Sequence, residues 1–279
     1  MHAIVNWPVC PIQSDPAGIS AEPELSHLED EVLYGMTVEV TGPAENGFLP
    51  IMTDYRYAGW APEGALLPGE DTAAAWTKKE KKIVLHKHCA DVLALPKVQG
   101  AFLARSLPMG ARVAPLGKEE EGWQRVALPD GREGYICASA LDTYWETPCA
   151  VESAALRRAL TDTARLYGGT QYRWGGKSAE GIDCSGLCSM AYMLCGILIY
   201  RDAAIKEGFP IHEIPLSDMR EGDLLYFPGH IAIYLGDWKY IHATGRVGDN
   251  GVTINSFDPK SPLFRADLPG MITAVGSFF

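Results

Sequence analysis

Several classes of protein are excluded by what the sequence lacks. It contains no apolar run of about 18 residues, so no transmembrane helix is predicted. Basic residues are few: 24 Lys and Arg stand against 35 Asp and Glu, which gives a formal net charge of −11. Nucleic acid and anionic membrane surfaces would repel such a chain, so we expect neither as a partner. No phosphate-binding glycine loop occurs, and no cofactor is expected.

Signals for export and for disulfide pairing are also absent. The first residues, Met1 to Pro8, have neither the basic start nor the apolar core of a secretory signal peptide. The 7 cysteines are an odd number without the spacing of a disulfide framework, which suits a reducing compartment. We therefore expect a cytoplasmic protein, or an extracellular one if a leader was removed. The rest is ordinary globular composition, 47% hydrophobic and 21% charged, at a length that suggests two or three domains.

Cys184 lies in the most informative stretch of the chain. Tyr172-Arg173-Trp174-Gly175-Gly176 precedes Gly181-Ile182-Asp183-Cys184-Ser185-Gly186, and apolar residues then recur at helical spacing, at Leu187, Ala191 and Leu194. This pattern predicts that Cys184 lies at or just before a helix N-terminus. The helix dipole and the unpaired N–H groups there favour a thiolate. We therefore expect an accessible cysteine nucleophile of low pKa.

Two histidines further along the chain are candidates for a base and its orienting partner. Gly222–Phe227, His230–Gly236 and Tyr240–Ala243 are predicted to be successive strands joined by turns. His230 and His242 lie near the starts of two of these strands, so they are expected to be neighbours. One ring could take the thiol proton while the other fixes its tautomer.

Each of these residues also has a simpler interpretation. A lone cysteine on an apolar helix is usually a small buried hydrophobic residue, and a single histidine at a strand start is rarely catalytic. Cys188 follows Cys184 by four residues and Cys195 follows Cys188 by seven, and both are expected to pack in the same apolar way. The run from His86 to Cys89 could bind a metal, but no second ligand pair follows, so no metal site is predicted. The joint arrangement of Cys184 with two histidines favours catalysis.

These motifs, in this order, resemble those of the NlpC-type peptidases, which are papain-like cysteine peptidases of bacterial cell-wall peptides. The resemblance covers residues from about 150 to 279 and implies an α+β papain-like domain there. Carried over by position, it makes Cys184 the nucleophile, His230 the general base and His242 the polar orienter.

The same resemblance implies roles in substrate binding for four further residues around the nucleophile. The hydroxyl of Tyr172 would point at the active site, and Asp183 and Ser185 would help to hold the substrate. Asp202 lies in Arg201-Asp202-Ala203, where relatives carry a serine in place of the alanine. That departure puts one contact to a D-Glu carboxylate in doubt, although not the reaction class.

The first half of the chain contains an internal repeat at an offset of 75 residues. The offset pairs glycines and apolar residues of like kind: Gly35 with Gly110, Val38 with Val113, Phe48 with Trp123, Ile51 with Val126, Gly59 with Gly134, Trp60 with Tyr135 and Leu66 with Leu141. Each copy reads as a small all-β barrel, and both resemble bacterial SH3-like domains. We therefore predict a multidomain protein: SH3-like domains over residues 1–70 and 78–146, joined by a charged linker, and a peptidase domain over 150–279.

Two SH3-like domains before such a peptidase resemble the γ-D-glutamyl-L-diamino acid endopeptidases of murein recycling. The resemblance implies murein stem peptides as substrates, cleaved after γ-D-Glu and restricted to a free L-Ala terminus by the first SH3-like domain. Tyr57, in Tyr57-Ala58-Gly59-Trp60, matches the tyrosine of that restriction, and an acidic residue among Glu29, Asp30 and Glu31 could pair with the ammonium. Alternatives are a secreted hydrolase of intact peptidoglycan and a wall-binding module whose catalytic domain has decayed.

Overall fold

The computed structural model describes residues 1–16, 26–86 and 88–279, which form two compact units, Met1–Tyr144 and Trp145–Phe279. β-Strands dominate both units, and the described residues contain three α-helices. None of these three helices is long and apolar enough to cross a membrane.

The first unit contains two seven-stranded antiparallel sheets. The strands of the first sheet are β1 (His2–Val5), β2 (Val9–Gln13), β3 (Leu28–Leu33), β4 (Thr37–Val40), β5 (Phe48–Thr53), β6 (Ala58–Pro62) and β7 (Leu66–Pro68). They lie side by side in the order β3-β2-β6-β5-β4-β1-β7. In β5 every second side chain is buried, because one face of the strand packs on a core.

The second sheet repeats the first in strand order. Its strands are β8 (Lys82–Val84), β9 (Cys89–Leu93), β10 (Leu103–Pro108), β11 (Arg112–Pro115), β12 (Trp123–Ala127), β13 (Glu133–Cys137) and β14 (Leu141–Thr143), in the order β10-β9-β13-β12-β11-β8-β14. One pair of repeated glycines, Gly59 and Gly134, shows why the sequences of the two copies match. A Cβ on Gly59 would lie 2.4 Å from Ile12, and one on Gly134 would lie 2.5 Å from Val92. Each copy thus needs glycine where two strands cross closely.

The segment predicted to be a charged linker contains a helix instead, α1 (Glu70–Thr77). Trp76 of α1 is buried and donates a hydrogen bond from Nε1 to the Gly35 carbonyl oxygen over 2.8 Å. Its cluster also contains Ile4 of the first sheet and Ala114 of the second. The predicted linker thus overlaps this helix at Glu70 and Asp71, and α1 packs between two sheets that share one compact unit.

The second unit combines two helices with a six-stranded sheet. The helices are α2 (Ser153–Leu166) and α3 (Cys184–Leu194). A short pair, β15 (Lys177–Ser178) and β16 (Gly181–Ile182), precedes α3, and the sheet consists of β17 (His212–Ile214), β18 (Leu224–Phe227), β19 (His230–Gly236), β20 (Lys239–Thr244), β21 (Gly251–Ser256) and β22 (Ala274–Ser277). Its order is β17-β22-β18-β19-β20-β21. The three predicted strands are confirmed as β18, β19 and β20.

The helix α3 lies in the centre of this unit. All of its side chains are buried, and it packs against α2, β19 and β20. Because β19 begins at His230 and β20 contains His242, this packing brings the start of α3 to the strands that carry both histidines.

Candidate active site

The start of α3 holds Cys184 as its first residue, as predicted. Asp183 is the N-cap residue: its Oδ1 accepts a hydrogen bond from the Gly186 N–H over 2.6 Å, which satisfies one of the free donors of the first turn. Its Oδ2 accepts from the Gly175 N–H over 2.9 Å. One carboxylate therefore joins the glycine turn to the helix that carries the candidate nucleophile.

The glycines of the two motifs allow this close packing. A Cβ on Gly186 would lie 2.2 Å from the Gly176 carbonyl oxygen, and one on Gly176 would lie 2.4 Å from the Gly181 oxygen. Any larger residue would push the helix start away from the turn. The motifs Trp-Gly-Gly and Asp-Cys-Ser-Gly thus occur together because their glycines let the two segments pack directly against each other.

The Cys184 side chain is a buried thiol in this structure. Its residue is only 7% exposed, and burial, followed by the Asp183 carboxylate, raises the pKa of the thiol to about 11. The N–H groups of Ile231 and Ser185 hydrogen-bond the sulfur and lower its pKa, but only in part. The expectation of an accessible, low-pKa thiolate was therefore wrong, because desolvation outweighs the helix N-terminus.

The two candidate histidines contact each other directly. His230 Nε2 lies 2.7 Å from His242 Nδ1, so the predicted pairing of the rings is present. Burial is the main cause that lowers the pKa of His230 to about 3 and that of His242 to about 4. Both rings are thus neutral near pH 7, and the hydrogen bond between Cys184 and the Ile231 N–H puts the thiol beside the start of β19.

Asn255 of β21 extends this chain of polar groups. Its Oδ1 lies 2.8 Å from His242 Nε2. No motif around Asn255 indicated a role, since the contact depends on the pairing of β20 with β21. The hydrogen-bonded series is His230, His242 and Asn255, and Cys184 lies beside it at the start of β19. A neutral ring in this position is suited to take a proton from a thiol.

Known proteins resemble this chain over most of its length. A model of the NlpC/P60 family matches residues 169–262. Over 271 residues the chain is 42% identical to "Dipeptidyl-peptidase 6" of Lysinibacillus sphaericus, an alignment that covers 94% of this chain and 97% of that protein. The chain belongs to the NlpC/P60 family.

Two further comparisons extend the NlpC/P60 relationship. A "Gamma-D-glutamyl-L-lysine dipeptidyl-peptidase" of Bacillus subtilis (strain 168) is 29% identical over 238 residues, covering 77% of this chain and 72% of that protein. The crystal structure of an NlpC/P60 family protein from Bacillus cereus ATCC 10987 matches with a TM-score of 0.81, covering 100% of this chain and 99% of the other at 19% identity. The second match shows the fold that this NlpC/P60 chain shares.

A buried arginine contacts the two residues that flank Cys184. Arg201 is 1% exposed and donates to both Asp183 oxygens, over 3.1 and 3.0 Å, and to Ser185 Oγ over 2.7 Å. Ser185 Oγ in turn donates to Asp183 Oδ1 over 3.1 Å. Sequence reasoning included Asp183 and Ser185 as substrate-binding candidates, whereas the contacts described here are with the protein and fix the start of α3.

The remaining predicted residues of this unit also lie in identifiable positions. Tyr172 is half-buried. Burial, Cys184 and Asp183 raise the pKa of its hydroxyl, so this side chain lies near the nucleophile. Asp202 is half-buried and hydrogen-bonds Tyr200, whose pKa is raised first by burial and then by that contact.

Tyr57 belongs to the first unit, in the turn between β5 and β6. Its N–H donates to Thr53 Oγ1 over 2.9 Å, and its carbonyl oxygen accepts from the Thr53 N–H over 3.0 Å. Of the acidic candidates in β3, Asp30 and Glu31 are buried, and Asp30 accepts a hydrogen bond from the Tyr55 hydroxyl.

Within the part of the chain that the structure describes, no cluster of three or more His, Cys, Asp or Glu side chains is arranged to hold a metal ion. His86 and Cys89 line one small cavity of about 210 Å³ together with Cys137.

Proposed function

We propose that this chain hydrolyses the bond between γ-D-Glu and the following diamino acid in murein stem peptides that carry a free N-terminal L-Ala. The observation that carries the proposal is the Cys184, His230 and His242 series at the start of α3, in a chain 42% identical to a dipeptidyl-peptidase over nearly its full length. A catalytically decayed wall-binding module is less well supported, because the polar series is intact.

The proposed mechanism begins with a neutral thiol and a neutral imidazole. As the Cys184 sulfur attacks the γ-carbonyl carbon, His230 takes the thiol proton, and His242 orients the His230 ring. The Cys184 N–H at the start of α3 is a suitable donor for the oxyanion, because the Ser185 and Gly186 N–H groups that follow already bind the sulfur and Asp183. His230 then gives its proton to the leaving amine, a thioester remains on Cys184, and water activated by His230 hydrolyses it.

The substrate-binding roles of Tyr172, Asp183, Ser185 and Asp202 form part of this proposal. The position of Tyr172 near Cys184 supports a contact with the reacting group. Asp183 and Ser185 act mainly through the backbone that they hold, since their side chains bind Arg201. Tyr57 is proposed to take part in recognition of the L-Ala ammonium.

We also infer the domain identities and the location. The matching strand orders of the two sheets support two SH3-like barrels, over residues 1–70 and 78–146, followed by a papain-like α+β domain over 150–279. The seven unpaired thiols support a reducing, cytoplasmic location and a role in murein recycling. A secreted hydrolase that acts on intact peptidoglycan is the competing function.

A digestion with mass detection tests the proposal. Free L-Ala-γ-D-Glu tripeptides, ending in meso-diaminopimelate or lysine, are incubated with the protein beside intact sacculi. We expect release of L-Ala-γ-D-Glu from the tripeptides, little product from sacculi, and no product with Cys184→Ala. Soluble fragments from sacculi alone would favour the secreted hydrolase, and equal activity of Cys184→Ala would refute the cysteine mechanism.

A further inference from the structure

The amide of Asn255 has a defined orientation at the end of the histidine pair. Its Oδ1 lies 2.8 Å from His242 Nε2, and its Nδ2 donates to the Leu263 carbonyl oxygen over 3.4 Å. An amide turned the other way would place its NH₂ group against the ring and its oxygen against another carbonyl oxygen. The Leu263 contact therefore fixes the oxygen toward His242.

This orientation determines where the protons lie on both rings. Because Oδ1 can only accept, His242 Nε2 must carry hydrogen, which leaves Nδ1 of this neutral ring as an acceptor. His242 Nδ1 then accepts from His230 Nε2 over 2.7 Å, so the hydrogen of the neutral His230 ring is on Nε2. His230 Nδ1 is left with its lone pair, as a general base requires.

We propose that Asn255 is a positioning residue that selects the tautomer of His242 and, through it, the basic tautomer of His230. The inference rests on the proposed function for the role of His230, and it adds a fourth residue that touches neither the thiol nor the substrate. Asn255 acts only through His242.

Burial makes this tautomer selection dependent on one residue. His242 is 0% exposed, so the protein supplies the partner of its Nε2–H. Without the Asn255 oxygen, that N–H would be buried and unpaired, and the ring would favour the tautomer with hydrogen on Nδ1. His242 Nδ1 would then donate to His230 Nε2. The hydrogen of the neutral His230 ring would move to Nδ1, and that atom could no longer act as the base.

Two charged side chains near His230 and His242 also affect the pKa values that a pH test would measure. Arg265 lowers and Asp267 raises the pKa of both histidines, and these two side chains form an ion pair of 2.8 Å. The rings of Tyr240 and Phe227 contact His242 and His230 respectively. A carboxylate in place of the Asn255 amide would put a negative charge next to His242 Nε2 and favour the protonated form of this histidine.

The test compares Asn255→Leu, Asn255→Asp and Asn255→Gln, with Ile254→Val as the matched control on the opposite face of β21. We expect Asn255→Leu to lower kcat about tenfold to a hundredfold with KM changed less than about twofold, as the loss of one buried hydrogen bond predicts. Asn255→Asp should retain more activity than Asn255→Leu and shift the acid limb of its pH–rate profile upward, and Asn255→Gln should rescue in part. Ile254→Val should stay close to the unchanged protein.

A second readout needs no catalysis. In Cys184→Ala protein labelled with ¹⁵N-histidine, NMR should show His242 with hydrogen on Nε2, and the additional change Asn255→Leu should move that hydrogen to Nδ1. An unchanged tautomer, or full kcat in a folded Asn255→Leu variant, would overturn the inference. If the tautomer shifts while no variant cleaves the tripeptides, the proposed function fails and the positioning role of Asn255 stands.

Discussion

At Cys184 two effects act in opposite directions on one thiol. The start of α3 offers N–H groups and the positive end of a dipole, which favour the thiolate. Burial and the Asp183 carboxylate oppose it, and the pKa rises to about 11. Since His230 is held neutral by its lowered pKa, the resting pair is thiol and imidazole, and proton transfer accompanies the attack on the carbonyl carbon.

The order in which the cysteines react should follow from this burial. Relative to the ordinary value of 9.0, a pKa of about 11 lowers the thiolate fraction of Cys184 about a hundredfold. Cys89 and Cys137 are exposed, so iodoacetamide near neutral pH should label them before Cys184, as read by peptide mass mapping. Labelling of Cys184 ahead of both exposed thiols would show that it exists as a thiolate.

The neutral histidines should make stability depend on pH. Their pKa values fall from 6.5 when unfolded to about 3 and about 4 when folded, so between these limits the unfolded chain binds more protons. The free energy of unfolding should therefore fall as pH drops below about 6.5, by up to about 1.4 kcal/mol per pH unit for each histidine. Urea titrations from pH 7.5 to pH 4.5 measure this fall. His242→Gln should show a shallower decrease, and identical slopes would contradict the assignment.

Sequence reasoning found the residues of this site that belong to local motifs. Cys184, His230 and His242 stand in short runs whose spacing predicts a helix start and two strand starts. Asn255 was missed because its role depends on the register of β20 with β21, and the pKa of Cys184 because burial comes from packing that is distant in sequence.

The start of α3 shows how one element depends on a buried charge pair. Asp183 caps the helix and accepts from Gly175, and Arg201 supplies the opposite charge from a segment beyond the end of the helix. Two opposite charges that are buried side by side compensate each other only while both are present.

Removal of Arg201 should therefore destabilise the second unit strongly. Arg201→Met leaves the Asp183 carboxylate buried without its cation and should lower the free energy of unfolding by about 3 to 5 kcal/mol. Urea unfolding at pH 7.5 measures the loss. In a double-mutant cycle, Asp183→Asn with Arg201→Met should cost clearly less than the sum of the single changes. Additive losses would show that the pair is not coupled.

Among the elements of the first unit, the repeated strands were predicted from the sequence, whereas the helix α1 was not. The repeat of β3 to β7 in β10 to β14 was visible in the sequence because each copy reuses glycines and apolar residues at the same positions. Charged residues at the start of α1 and directly after it, at Glu70 to Asp71 and at Lys78 to Lys82, indicated a linker, although Trp76 between them packs among residues of both sheets.

For the whole molecule, the sequence predicted an all-β first half and a helix-containing second half. The first compact unit consists mainly of strands but also contains the helix α1, and the second unit combines two helices with a sheet. The contribution of the first unit to catalysis is a separate matter. Both units lie within the 94% of this chain that aligns with Dipeptidyl-peptidase 6.

We predict that the proposed hydrolysis requires a free amine on the substrate and that Tyr57 contributes to this selectivity. Hydrogen bonds to a charged ammonium contribute roughly 1.5–3 kcal/mol, so N-acetylation of the tripeptide should lower kcat/KM by about tenfold to a hundredfold or more. Tyr57→Ala should reduce this preference more than it reduces cleavage of the acetylated peptide. Arg132→Ala is the matched control, because Arg132 occupies the corresponding position, 75 residues later, in the second copy. Equal cleavage of free and acetylated peptides, or equal effects of the two variants, would show that Tyr57 plays no part in recognising the amine.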